Sequence, residues 1–208
     1  MSQAPNIKRE IEASLKALVH LRDRVLPVKV GRAAVAQVKD NFRKGGIDGN
    51  EWDEPYRRRL SFNGTAGRYG PLLSGTNTLM DANRYEPQKG RVVVKNELPY
   101  AEIQNDGGTI RVTAKMKRFF WAKHIEAKGS MRLTKSGRKS RGKYNQALSR
   151  EAEFWRNMAL KKVGSTVRMP ARKFLGESRS LTDVVNKTIA KELDNFVKNY
   201  GKSSGTPR

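Results

Sequence analysis

The stretch LPYAEIQNDGGTIRVT, Leu98 to Thr113, decides how this chain is read. Pro99 suits the first turn of a helix, where its missing N–H costs no hydrogen bond, and Glu102 one turn further on suits the positive end of the helix dipole. Gly107 and Gly108 stop that helix early, because two residues without a Cβ cheaply adopt the backbone angles that leave it. Thr109 to Thr113 then alternates as a strand does. Upstream, NRYEPQKGRVVVKN reads as a hairpin: a strand through Tyr85, a turn at Pro87 to Gly90 and a β-branched strand from Arg91 to Lys95. The order is sheet, short helix, sheet, and the helix from Pro99 to Asp106 is a corner brace that holds Tyr100 and Ile103 against the sheet.

Helices flank this centre. Ile7, Ile11, Leu15, Leu18 and Val25 recur at helical spacing with Lys8, Arg9, Glu12, Lys16 and Arg22 between them, so residues 6 to 25 form an amphipathic helix that Pro27 ends. Val30, Ala34, Val38 and Phe42 give a second helix, stopped by GGIDGN, and the two form an antiparallel or angled helical hairpin. Glu51 to Pro71, with Trp52, Tyr56, Phe62 and Tyr69, reads as a long ordered loop. One helical turn is expected at Thr78 to Asp81. Leu148, Ala152, Trp155 and Ala159 mark a helix through about Lys161, GSTVRM a short strand, and Leu181, Val185, Ile189, Leu193, Phe196 and Tyr200 a C-terminal helix with Ser180 and Asp183 in capping-box spacing. The fold class is α+β: a small, mostly antiparallel sheet packed by the N-terminal hairpin and the C-terminal helix. Residues 1–200 make one domain, containing a basic mobile insertion at about 127–145, and 201–208 a disordered tail.

Charge narrows the function. Forty-three Lys and Arg against 20 Asp and Glu give a formal charge of +23, which attracts polyanions and acidic partners. With no cysteine, disulfides and thiolate metal sites are excluded. MSQAPNIKRE carries no apolar run, and no stretch approaches the roughly 18 apolar residues of a membrane span; a soluble protein without an export signal is expected.

Catalytic signatures fail on inspection. GKS at Gly201 to Ser203 lacks the earlier glycine of a phosphate loop, and GTAGRYG at Gly64 to Gly70 lacks dinucleotide spacing. His20 and His124 have no partners for a metal cluster or a triad, and read as surface or partly buried histidines. Asp48, Glu51, Asp53 and Glu54 are dense, but without EF-hand spacing they read as a turn and solvated edge. No catalytic residue, cofactor or metal is expected, and the chain is not read as an enzyme. The outstanding feature is the cationic run holding Arg132, Lys135, Arg138, Lys139, Arg141 and Lys143, preceded by Arg111, Lys115, Lys117, Arg118 and Lys123. Such a run either neutralises phosphates without reading sequence, meets an acidic partner, or is a solvated loop. Phe119, Phe120 and Trp121 face different ways on a helix, so at least one belongs to a core.

Four pieces in order, FRKGGIDGNEW, LLSGTNTL, LPYAEIQNDGGT and MPARKFLG, resemble the phage virion morphogenesis family, the tail-completion or neck proteins of tailed bacteriophages. Gly46, Asp48, Gly49 and Trp52 match its first motif, and Ser74 and Gly75 its second. Pro99, Tyr100, Ala101, Gly107, Gly108 and Thr109 match the third, and Pro170, Ala171, Arg172, Phe174, Leu175 and Gly176 the fourth. The likeness spans about residues 28 to 198, departing at Ser74, where aspartate is usual, and in the basic excursion after Thr113. It implies a non-enzymatic virion component of the head–tail junction or tail end, present in the host cytoplasm during assembly. The implied partners are other phage neck and tail proteins and copies of itself in a homo-oligomeric ring, with a hexamer the form the family suggests. Non-specific contact with DNA is the accessory role this leaves for the basic loop. The rival reading is a sequence-independent nucleic-acid-binding protein that works through that loop.

Overall fold

Helix formation begins with the first amphipathic repeat: α1 spans Ala4–His20, passes into a π-helical segment, Leu21–Val25, and continues as α2, Leu26–Lys44. These and the following elements come from a computed structural model describing residues 4–55, 58 and 69–203. Pro27 does not end the first helix. It lies in the first turn of α2, after a widened turn in which the Leu26 N–H reaches back to the Leu21 carbonyl, so the two helices join without a loop. Gly45 stops α2 in the left-handed conformation, φ 73°, its N–H bonded to the Asn41 carbonyl.

Two-residue strands follow, β1 (Gly46–Ile47) and β2 (Asn50–Glu51), then α3 (Thr78–Asp81), β3 (Asn83–Gln88), β4 (Arg91–Asn96), α4 (Ala101–Asp106) and β5 (Gly108–Arg111). The chain continues through α5 (Ala114–Gly129), α6 (Lys143–Leu160), β6 (Thr166–Met169) and α7 (Arg179–Ser203). The class is α+β. Its strands are antiparallel in β3–β4 and β5–β6, and they divide among three two-stranded ladders, β1–β2, β3–β4 and β5–β6, among the described residues. Most of the loop expected from Glu51 to Pro71, with Tyr56, Phe62 and the glycines Gly64 and Gly67, lies outside the described residues. The brace helix starts at Ala101, two residues later than expected, and β5 starts at Gly108 and ends at Arg111. The last helix runs to Ser203, past the end of its apolar stripe, and residues 204–208 lie outside the description.

The sequence reading takes residues 1–200 as one domain; contacts divide the chain into two compact units. The first comprises Met1–Asn50, Leu79–Leu98 and Phe174–Arg208. Its core holds Leu21, Ala34, Val38, Phe42, Leu79, Met80 and Phe174, with the Phe42 and Phe174 rings 4.9 Å apart. The β3–β4 hairpin packs so tightly on α2 that a methyl group at Gly31 would overlap the Tyr85 ring and lie 2.8 Å from Val92 Cγ2. Asn83, 1% exposed, donates from Nδ2 to the Leu79 and Met80 carbonyls and so ties the α3 turn to the strand. The apolar stripe of α1 stays exposed: Ile7, Ile11, Leu15 and Leu18 line a shallow groove with Phe196 of α7.

The second unit comprises Glu51–Thr78 and Pro99–Lys173. Within it α5 and α6 run antiparallel, since residue pairs across them descend on one helix as they rise on the other: Phe120 with Trp155, His124 with Ala152, Arg132 with Asn145. Ala127, Ala147, Ala152 and Ala159 are buried, and side chains this small let two helices approach closely. Of the three adjacent aromatics, Phe120 is the core residue, stacked 5.8 Å from Trp155; Phe119 and Trp121 are exposed.

Candidate functional site: motif junctions and a basic helical arm

In the first unit, the GGIDGN turn is a two-residue hairpin. Asp48 (φ 52°) and Gly49 (φ 84°) both have positive φ, the geometry that suits the twist of short antiparallel strands and that Asp-Gly adopts readily. No neighbour lies within 4 Å of a Cβ placed on Gly49, so its requirement is backbone freedom alone. The turn carries the Asp48 carboxylate to the start of α7, where it accepts the Arg179 N–H at 2.7 Å and the Ser180 N–H at 3.0 Å. Hydrogen bonds from Ser180, hydroxyl and amide, hold the Asp48 carboxyl below the usual carboxylate range, with the Arg179 amide and charge adding to them. Ser178 completes the cap, its hydroxyl accepting the Leu181 N–H at 3.2 Å. The capping box expected at Ser180 and Asp183 is therefore displaced: Ser178 caps locally and Asp48 from 132 residues away. Gly46 is buried in the same turn, and Phe174, 1% exposed, fills the core.

The second unit holds the other junction. β5 pairs with β6 in the register Gly108↔Met169 and Thr109↔Arg168, placing the GGT of the third motif beside the approach to the fourth. Gly107, at φ 72°, lies so close to this segment that an added Cβ would stand 2.7 Å from the Ala171 nitrogen and 2.9 Å from the Met169 oxygen. Glycine is demanded twice here, by backbone angle and by space. Arg172 is 6% exposed; its backbone N–H donates to the Gln104 carbonyl of α4 at 2.9 Å and its Nε to the Asp53 carbonyl at 2.8 Å. Trp52 is half-buried rather than fully enclosed, and its Nε1 donates to the Lys173 carbonyl at 3.1 Å. Tyr100 is 43% exposed, so the brace does not press it against a sheet; Ile103 is the half-buried member, near Gly108. Pro99 is exposed, Pro170 half-buried and Ala171 exposed. In the second motif Ser74 and Asn77 close a turn, the Asn77 N–H donating to the Ser74 carbonyl at 3.2 Å, and Gly75 stands beside the Tyr69 hydroxyl. In the first unit Leu175 is half-buried.

The six expected cations, Arg132, Lys135, Arg138, Lys139, Arg141 and Lys143, are all exposed, on the loop joining α5 and α6 and the first residue of α6. That loop is built rather than featureless. Leu133 bridges Lys139, the Ser140 N–H donates to the Arg132 carbonyl at 3.0 Å, and the Thr134 N–H to the Arg138 carbonyl at 2.6 Å. Asn145, 5% exposed, clamps its base: Oδ1 accepts the Arg132 N–H at 2.9 Å, and Nδ2 donates to the Arg132 and Ser140 carbonyls at 2.8 and 2.7 Å. The Arg132 guanidinium lies over the Tyr144 ring, 4.4 Å from its centroid. Sequence reasoning missed Asn145, Gly31 and the long-range reach of Asp48. Asn145 had a signal, a polar residue in register with Leu148, Ala152 and Ala159 on the buried face of α6.

His124 is buried, with Nδ1 2.7 Å from the Ala152 carbonyl, and His20 is exposed at the end of α1. Among the described residues no group of three or more His, Cys, Asp and Glu is placed to hold a metal ion, and no helix is long and apolar enough to cross a membrane. Comparison of the chain with known protein families, with curated proteins and with solved structures returns no match.

Proposed function

We propose that the chain is a non-enzymatic structural component of the head–tail junction of a tailed bacteriophage, a neck or tail-completion protein that works as a ring subunit or adaptor during virion assembly. The observation that carries this reading is the joining of the motifs through which the sequence resembles that family. Gly107 and Gly108 lie against Met169 and Ala171, and Arg172 bonds to Gln104 and Asp53; separately, Asp48 caps the helix that follows Gly176. Residues so interlocked are spent on holding shape, as an assembly subunit requires. The exposed apolar groove of Ile7, Ile11, Leu15, Leu18 and Phe196 supplies a surface of the kind that protein neighbours cover.

Deletion of the gene from the phage genome that carries it tests the reading. Electron micrographs of the lysate should show heads and tails accumulating unjoined, or tails of abnormal length, with rescue by the chain supplied in trans. Joined particles of normal form and titre would overturn it.

A further inference from the structure

We infer that the tip of the α5–α6 arm is a preorganised contact for the phosphate backbone of double-stranded nucleic acid, with Asn145 the residue that positions it. From Lys128 to Lys143 the chain holds seven Lys and Arg and no Asp or Glu. The six cations from Arg132 to Lys143 are exposed, and the backbone that carries them is closed by its own hydrogen bonds and by the Asn145 clamp. A cationic loop fixed in this way loses less conformational entropy when it meets phosphates than a free one does. α6 begins here with Gly142 at its N-cap and Lys143 in its first turn, adding the positive end of a helix dipole to the cluster.

The surroundings choose among polyanions. An acidic protein partner calls for an apolar centre to its interface, and at the tip Leu133 alone is both large, apolar and exposed. Single strands are gripped by aromatic faces on which bases stack, but the Tyr144 ring is covered by Arg132, and the exposed Phe119 and Trp121 stand in the first half of α5, away from the loop. What remains is charge on a defined scaffold, which suits the regular phosphates of a duplex and reads no sequence. This goes beyond the assembly reading and stands or falls separately from it, since the isolated chain is sufficient for the test.

The experiment is a fluorescence-anisotropy titration of a labelled 30-base-pair duplex of arbitrary sequence with the full chain, repeated from low to physiological KCl. Binding should weaken steeply with salt and be indifferent to a change of sequence. Replacing Arg138, Lys139, Arg141 and Lys143 with serine should lower the slope of log K against log salt by about 3 to 4 units if all four meet phosphates. Asn145→Ala keeps every charge, so it should weaken binding several-fold at fixed salt while the slope stays within about one unit of the parent's. No duplex binding at low salt, a fourfold variant with the parental slope, or tighter binding of the single strand would each overturn the proposal. So would binding of polyglutamate in preference to the duplex. The substituted cations are exposed, so the fourfold variant decides the matter even if Asn145→Ala unfolds the arm.

Discussion

The carboxylate of Asp48 accepts the backbone N–H of Ser180 at 3.0 Å, joining a hairpin turn to a helix start 132 residues later. With the Arg179 N–H also bonded, one side chain satisfies two of the amides that a helix N-terminus leaves without intrahelical partners.

The first prediction is the pH behaviour of this cap. Because the folded protein holds the Asp48 carboxyl below its unfolded value, the contribution is complete above the ordinary aspartate range, near 3.9, and is lost as pH falls through the lowered native value. Asp48→Asn should lower the melting temperature at pH 7, and the gap to the parent should close as the solution is acidified below about pH 4. Melts followed by circular dichroism across that range check it; a gap independent of pH would contradict the charged cap.

Phe174→Ala should cost about 3 to 5 kcal/mol, the range for emptying a buried aromatic site, since Phe174 is 1% exposed against Phe42. Trp52→Phe keeps an aromatic ring but loses the indole N–H that donates to the Lys173 carbonyl; loss of that bond costs about 1 kcal/mol, and the smaller ring adds to it. Urea unfolding separates the two.

Gly107→Ala should destabilise by about 2 kcal/mol or more. At φ 72° and ψ −169° the backbone of Gly107 is in a region open essentially to glycine alone, which costs a Cβ-bearing residue about 1 to 3 kcal/mol, and the methyl group would also crowd Ala171 and Met169. Gly49→Ala has positive φ without the crowding, so it should lose less. Equal losses would mean that space at Gly107 does not matter.

Arg172→Met keeps the length of the side chain but leaves the Asp53 carbonyl without its charged donor. It should cost about 1.5 to 3 kcal/mol. Because Arg172 sits within a fixed arrangement rather than on an open surface, Lys is a poor substitute.

Periodicity and turn chemistry account for what the sequence made legible. Every four-residue step from Val30 to Phe42 lies on α2, the single turn at Thr78 to Asp81 is α3, and the β-branched run Val92 to Val94 is a strand. What escaped depends on groups distant in sequence. Nothing local to Pro27 announces a π segment that carries a helix through it, and Ser180 cannot reveal that Asp48 bonds to its amide. Gly31 looks like a weak point in a helix until the Tyr85 ring is set against it. At the candidate site the motif residues were found by their pattern, but the partners of Arg172, Gln104 and the carbonyl of Asp53, follow from the fold alone.

Cryo-electron microscopy of purified tails incubated with the full chain, alongside native mass spectrometry of the chain alone, tests the proposed assembly at the junction. A closed symmetric ring of the chain is expected at the head-proximal end of the tail, with self-association or ring formation detectable in solution. A chain that stays strictly monomeric at high concentration and leaves both tails and heads bare would contradict it.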